Sequence, residues 1–110
     1  MNQLRDQLEA ALKSALRARD HVATSALRSA LAAIDNAGAV PGPGQYRPTL
    51  GVGAGEAGRK VLSIEETRGI VRDEVADRTS AADQYDRLER PAEAARLRAE
   101  AAVLEPFTRP

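Results

Sequence analysis

The sequence predicts an all-α protein of about four helices, arranged as two antiparallel hairpins that are joined by a long Gly/Pro-rich loop. Three observations lead to this prediction. Alanine, the best intrinsic helix former, dominates the apolar residues that make up 43% of the 110-residue chain. Apolar residues recur with the 3.6-residue period of an amphipathic helix, and no stretch shows the alternation of a strand. Because alanine buries little area and only three residues are aromatic, we expect a thin core.

The first hairpin is predicted from a leucine repeat and a capping residue. Leucines at every fourth position predict a helix over about residues 2–18. Asp20 can cap a second helix, which the glycine at position 38 ends. The connection of two or three residues makes the two helices antiparallel. The predicted inner faces are Leu4, Leu8, Leu12 and Leu16 in the first helix and Ala23, Leu27, Ala30, Leu31 and Ile34 in the second.

An abrupt change in composition follows at about residues 38–59. Seven of the eight glycines fall here, together with Pro41, Pro43 and Pro48. Neither a helix nor a central strand tolerates so many breakers. We therefore predict one domain over residues 1–110 that carries a flexible insert at about 38–59. Such a long loop is either functional or a tolerated surface insertion, and we favour the insertion.

The second hairpin begins at a capping box formed by Ser63 and Glu66. It opens a predicted helix over about residues 64–89, with Gly69 as an interior weak point. Pro91 suits the first turn of a fourth helix over about 91–104, after which Phe107 is free to fold back. The predicted inner faces are Ile64, Val71, Val75, Ala82, Tyr85 and Leu88, and then Ala94, Leu97, Ala101 and Leu104. The pairs Glu74–Arg78, Asp83–Arg87 and Asp86–Arg90 are expected on the solvent side.

Residues that could carry chemistry are scarce. The chain has no cysteine and one histidine, His21, which falls in the turn before the second helix. We therefore predict no catalytic, cofactor-binding or metal-binding site and a protein that is not an enzyme. The absence of cysteine and of any span of about 18 apolar residues favours a cytoplasmic protein with no membrane partner. The sequence identifies no small-molecule substrate.

Arginine is the one residue in surplus, with 14 of the 16 basic positions. The 16 acidic residues bring the formal charge to zero, which disfavours nonspecific nucleic-acid binding as the main activity. An ion-paired surface is the simpler interpretation of these arginines. The alternative is a face that binds phosphate or acidic groups, for which a planar guanidinium is well suited.

Several segments resemble the GatB/YqeY family. The run from Thr24 to Ile34 is similar to the arginine-containing second helix of that family. Residues Arg72 to Arg78 and Ala81 to Tyr85 resemble its long third helix, and Arg90 to Leu97 with Ala99 to Glu105 resembles its fourth. The order of elements agrees from about residue 3 to residue 105, apart from the Gly/Pro-rich insert. Within these segments, the candidate contacts for a partner or for RNA are Arg28, Arg72, Arg78 and Arg90.

The chain also departs from the family pattern. Glu89 stands where a glycine usually precedes Arg90, and Phe107 is not followed by Leu-Pro. The small C-terminal domain, which resembles the tRNA-contacting tail of the tRNA-dependent amidotransferase B subunit, has no counterpart in residues 1–110. The resemblance therefore implies a non-catalytic helical module, of bacterial type, that binds a protein partner or itself; tRNA is the weaker expectation. The alternatives are a component that assists a glutamine-dependent amidotransferase and a structural homo-oligomer.

Overall fold

Residues 2–39 and 60–110, which the computed structural model describes, form four α-helices and one short 3₁₀ helix, with no β-strand. The α-helices are α1 (Gln3–Ala18), α2 (His21–Gly38), α3 (Ile64–Arg87) and α4 (Pro91–Leu104), and the 3₁₀ helix spans Glu105–Thr108. The predicted all-α fold is confirmed. The predicted loop at about 38–59 lies almost entirely outside the described residues, which resume at Lys60. No helix in these two ranges is long and apolar enough to cross a membrane.

Local signals position the helix starts; the caps at Asp20 and Ser63 were predicted, whereas the cap at Asn2 was not. Asn2 caps α1 by accepting hydrogen bonds from the backbone amides of Leu4 and Arg5. Asp20 caps α2 through the amide of Ala23. At α3, the hydroxyl of Ser63 accepts from the amide of Glu66, while the carboxylate of Glu66 accepts from the amide of Ser63. That backbone hydrogen bond, with the Lys60 ammonium 3.1 Å away, holds the pKa of Glu66 below its ordinary value.

Helices α1 and α3 end in the same motif, with a residue in the left-handed conformation just past the helix. Arg19 has φ 57° and Glu89 has φ 60°. The amide of Arg90 donates to the carbonyl of Tyr85 at 2.8 Å, and the amide of Glu89 donates to the carbonyl of Asp86 at 3.0 Å. This pair of bonds defines a Schellman motif. It reverses the chain after two or three residues and makes each hairpin antiparallel.

The two hairpins pack so that α2 contacts both α3 and α4, and α1 contacts α3. Half of the buried apolar residues in the described ranges are alanines, as the composition predicts. Leu8, Leu27 and Leu104 are among the largest fully buried side chains. The predicted inner face of α2 is buried throughout: Ala23, Leu27, Ala30, Leu31 and Ile34. Of the predicted α4 face, Ala94, Ala101 and Leu104 are buried and Leu97 is half-buried.

Part of the predicted α3 face is wrong. Val71 and Ala82 are buried, but Ile64 is 37% exposed and Leu88 is 66% exposed. Ile64 is the first residue of α3 and Leu88 follows its last. Leu16, near the end of α1, is also exposed, at 46%. At Gly69 an added Cβ would meet nothing within 4 Å, so packing does not require glycine there.

Candidate functional site

The four arginines that the sequence singles out lie in different environments. Arg28 is exposed on α2 and Arg72 is exposed on α3, where its Nε donates to the carbonyl of Thr108 at 3.1 Å. Arg90 is exposed between α3 and α4; it pairs with Glu93 at 2.6 Å and lies 5.8 Å from the centre of the Tyr85 ring. Among the described residues, no two of the four arginines bind the same acceptor. Their role as partner or RNA contacts stays a prediction.

Arg78 differs from the other three because it is buried in a network between helices. Its Nη1 donates to the Glu74 carboxylate at 2.8 Å, and its Nε donates to the Glu100 carboxylate at 3.0 Å. Ser29 on α2 donates to Glu74 at 2.7 Å, and Arg96 donates to Glu100 at 3.3 Å. The side chains of Arg78, Glu74 and Glu100 are only 12%, 17% and 9% exposed. The Glu74–Arg78 pair forms as predicted, but the predicted solvent-side location is wrong.

The electrostatics of this network keep Arg78 charged. Burial alone would lower the pKa of Arg78, but the hydrogen bonds to Glu74 and Glu100 outweigh it and raise the pKa above its ordinary value. A guanidinium that is held by two internal carboxylates has few donors left for an outside ligand. The contacts of Arg78 therefore indicate that this residue joins α2, α3 and α4. The sequence did not suggest this role.

The predicted pairs Asp83–Arg87 and Asp86–Arg90 are wrong as well. Both aspartates instead pair with Arg98 of α4, at 2.8 and 2.7 Å. These contacts raise the pKa of Arg98, with the bond to Asp86 as the larger cause. The reason is the antiparallel packing of α4 on α3, which brings Arg98 within reach of both carboxylates. Spacing along one helix cannot reveal such cross-helix partners.

An apolar groove runs along the end of the first hairpin where α1 meets α2. Its volume is about 480 Å³. Ala11 and Ala18 of α1 form one side, Ala23 and Leu27 of α2 lie on the other, and Phe107 of the 3₁₀ helix closes it. Ser14, Ala15, Val103 and the capping residue Asp20 complete the lining. The small side chains allow the backbone of another helix to approach closely, while the half-buried Phe107 supplies apolar area.

Phe107 folds back onto the helices, as its position after the end of α4 predicted. Phe107 is half-buried and packs against the hydrophobic core. The same ring lines a second cavity, of about 220 Å³, on the side of the N-terminal turns of α1 and α3. The groove itself was not predicted, because the sequence cannot show that the 3₁₀ helix stops short of covering the alanines of α1.

Groups that could support catalysis or metal binding do not converge. His21 is exposed at the first position of α2. In the ranges 2–39 and 60–110, no group of three or more His, Cys, Asp or Glu residues could hold a metal ion. The described residues thus form a four-helix all-α protein. Its surface has an open apolar groove, and most of its charged side chains are in ion pairs.

Comparisons of the chain with models of protein families, with curated proteins and with solved structures found no match. The resemblance to the GatB/YqeY family therefore stays an interpretation of the segments that carry it.

Proposed function

We propose that this chain is a non-catalytic helical module that binds another protein, and that the groove between α1 and α2 is its docking surface. The single observation that carries the proposal is the groove, which has a volume of about 480 Å³ and which the fold leaves open. The thin alanine-rich core supports it, because a partner helix would supply apolar contacts that the chain's own side chains do not.

The charges favour a protein partner over tRNA. The formal net charge is zero, and most arginines of α3 and α4 are bound to carboxylates of the same chain. Arg68, Arg78, Arg90, Arg96 and Arg98 each have an acidic partner. Phosphate binding would have to break these pairs or use the cations that form no ion pair in the described ranges, among them Arg28 and Arg72. The resemblance to the GatB/YqeY family supports an accessory role beside an amidotransferase, in the bacterial cytosol, and this part of the proposal rests on the resemblance alone.

A photocrosslinking experiment tests the groove. A photoreactive residue replaces Ser14, which lines the groove, or Ala32, an exposed alanine of α2 that does not line it. We expect a discrete crosslinked protein from Ser14 but not from Ala32. The additional substitution Ala18→Arg should abolish that product, because a long charged side chain fills the groove. Ala32→Arg, the matched control, should leave it.

The outcomes separate the alternatives. A product of twice the chain mass that Ala18→Arg abolishes, together with a dimer in light scattering, identifies the partner as a second copy and supports the homo-oligomer. An electrophoretic shift of tRNA at micromolar protein, lost on Arg28→Gln or Arg72→Gln, contradicts the protein-binding proposal and supports RNA. Identical products from Ser14 and Ala32 also contradict it, because they show that the groove does not select a partner.

A further inference from the structure

Exposed cations without an ion pair gather near the turn of the first hairpin. Lys13 and Arg17 lie in the last two turns of α1, Arg19 follows the end of that helix, and Arg28 lies about two turns into α2. All four are exposed, and within residues 2–39 and 60–110 none of them pairs with an acid. Because a helix rises about 1.5 Å per residue, each lies within about 12 Å of the turn, measured along its helix.

The carboxylates of the first hairpin do not balance these cations. Glu9 and Asp35 both pair with Arg5, farther from the turn. Asp6 is in the first turn of α1, at the other end of the hairpin. Of the described carboxylates of this hairpin, only Asp20 lies at the turn, where it caps α2. Four cations thus accompany one carboxylate, and this end of the hairpin has a net positive charge.

Three of these cations border the apolar groove. Ser14 and Ala18 line the groove; Lys13 precedes Ser14 in the sequence, and Arg17 and Arg19 stand on either side of Ala18. We call Lys13, Arg17 and Arg19 the basic edge. Lysine and arginine can lay their hydrocarbon stems along an apolar surface while the charged ends stay in water. The basic edge can therefore reach a carboxylate on a helix that occupies the groove.

The opposite side of the groove has no comparable charge. Val103 and Phe107 form this side, and Ala102, next to Val103, is exposed. The charged residues on either side of Phe107 are Glu105 and Arg109, which pair with each other at 3.3 Å. The groove is thus basic along α1 and close to neutral along α4 and the 3₁₀ helix. Such an asymmetry favours a partner whose charge lies on one flank.

We propose that the partner of the groove is an amphipathic helix with acidic residues along one flank. Its apolar side, with anchors three, four and seven residues apart, occupies the groove, and its carboxylates face the basic edge. This inference rests on the proposed function, because it names the partner of the same groove. A second copy of the chain is less suitable, since two grooves that meet would bring two basic edges to one interface. A phosphate backbone is also less suitable, because it has no apolar side to fill the groove.

Three synthetic helices test the inference by their binding to the full chain. The peptides have about 18 residues, because shorter helices are marginal in water. They share one stripe of leucine and alanine and carry glutamate, glutamine or lysine on one flank. Fluorescence anisotropy gives each affinity. We expect the glutamate peptide to bind about tenfold more tightly than the glutamine peptide, since each exposed ion pair contributes a factor of about two to three. The lysine peptide should bind most weakly, and added salt should reduce the differences.

Two double variants locate the charges that the glutamate peptide contacts. Arg17→Gln with Arg19→Gln should weaken its binding about fivefold and leave the glutamine peptide unchanged. Arg87→Gln with Arg90→Gln is the matched control. It also removes two exposed arginines, one of them in the last turn of a helix, but at the opposite end of α4 from the groove, and should change neither affinity. Ala18→Arg fills the groove and should abolish binding of the glutamine peptide.

The inference is overturned if the glutamate peptide binds no more tightly than the lysine peptide, if both double variants weaken it alike, or if no peptide binds. A dimer of the chain that Ala18→Arg dissociates overturns it as well, because a second copy then fills the groove. A tRNA shift that is lost on Arg17→Gln with Arg19→Gln has the same consequence. The proposed function is judged separately: it stands if Ala18→Arg abolishes a crosslink to another protein from Ser14, and it falls if that crosslink does not form.

Discussion

Glu89 occupies a backbone conformation that suits glycine. Its φ of 60° lies in the left-handed region, where the Cβ of any other residue approaches the following carbonyl oxygen. The Schellman motif at the end of α3 requires this conformation, because the amide of Arg90 must turn back to the carbonyl of Tyr85. The chain thus carries local strain at the tip of its second hairpin.

The substitution Glu89→Gly should therefore stabilise the protein. Relief of the left-handed strain should stabilise the folded state by about 1–2 kcal/mol. The greater conformational freedom of glycine in the unfolded chain offsets about 0.5–1 kcal/mol of this gain. We expect the free energy of unfolding to rise by about 1 kcal/mol, measured by urea denaturation followed by circular dichroism. Glu89→Ala is the control: it removes the same charge but keeps the Cβ. Equal stability of the two variants would show that the charge, and not the backbone, decides the effect.

At the scale of the helices, the buried network around Arg78 holds three elements together. Arg78 and Glu74 belong to α3, Glu100 to α4 and Ser29 to α2. Two carboxylates share one guanidinium in a setting where each side chain is less than a fifth exposed. Removal of the cation would leave Glu74 with only the hydrogen bond from Ser29 and Glu100 with only the more exposed Arg96. Such a loss costs more than the loss of a surface ion pair.

Arg78→Met should lower the free energy of unfolding by about 3 kcal/mol, because methionine keeps much of the side-chain volume but none of the charge. Arg98→Met is the matched control. Arg98 also bridges two carboxylates, but its side chain is 46% exposed, so water screens these pairs and its loss should cost much less than that of Arg78. Chemical denaturation of both variants measures the difference. Similar losses in the free energy of unfolding for the two variants would mean that water screens the Arg78 network as effectively as it screens the ion pairs of Arg98.

The helices show which features the sequence carries and which it does not. The capping box at Ser63, the proline start at Pro91 and the apolar face of α2 were all predicted, because each is a signal within one element. The burial of Glu74 and Arg78 was not predicted, because an i,i+4 ion pair has the same spacing on a solvent-exposed face and at a contact between helices. Asp83 and Asp86 likewise bind Arg98 across the hairpin. Such partners depend on packing between helices, which no local pattern records.

The same limit applies to the candidate sites. Phe107 was expected to fold back, but whether it covers α1 depends on where the 3₁₀ helix stops. Arg68 was grouped with the surface arginines, because nothing in its immediate neighbours indicates that α1 and the C-terminal segment bury it. The residue types and the helices could thus be predicted from the sequence. The cavities could not, because they arise from the spaces left between helices.

At the scale of the whole molecule, the two hairpins come together where the described ranges meet. The carbonyl of Gly38 accepts a hydrogen bond from the amide of Lys60 at 2.6 Å. A Cβ at Gly38 would lie 3.3 Å from the carbonyl oxygen of Lys60, so glycine permits this close approach. This backbone hydrogen bond holds the residues on either side of 40–59 in contact. The two hairpins also contact each other through α2, independently of this bond.

This geometry predicts that residues 40–59 can be replaced by a four-residue Gly/Asn/Ser turn without loss of the fold. Closing a loop of about one-fifth the length costs less entropy, so the free energy of unfolding should rise by about 1 kcal/mol. Urea denaturation and a ¹H–¹⁵N spectrum of the shortened chain measure stability and fold. A chain with residues 40–59 scrambled in order is the matched control and should equal the parent. If both variants instead lose several kcal/mol or the cooperative transition, the segment packs on the helices and contributes to the core, contrary to its interpretation as a tolerated insertion.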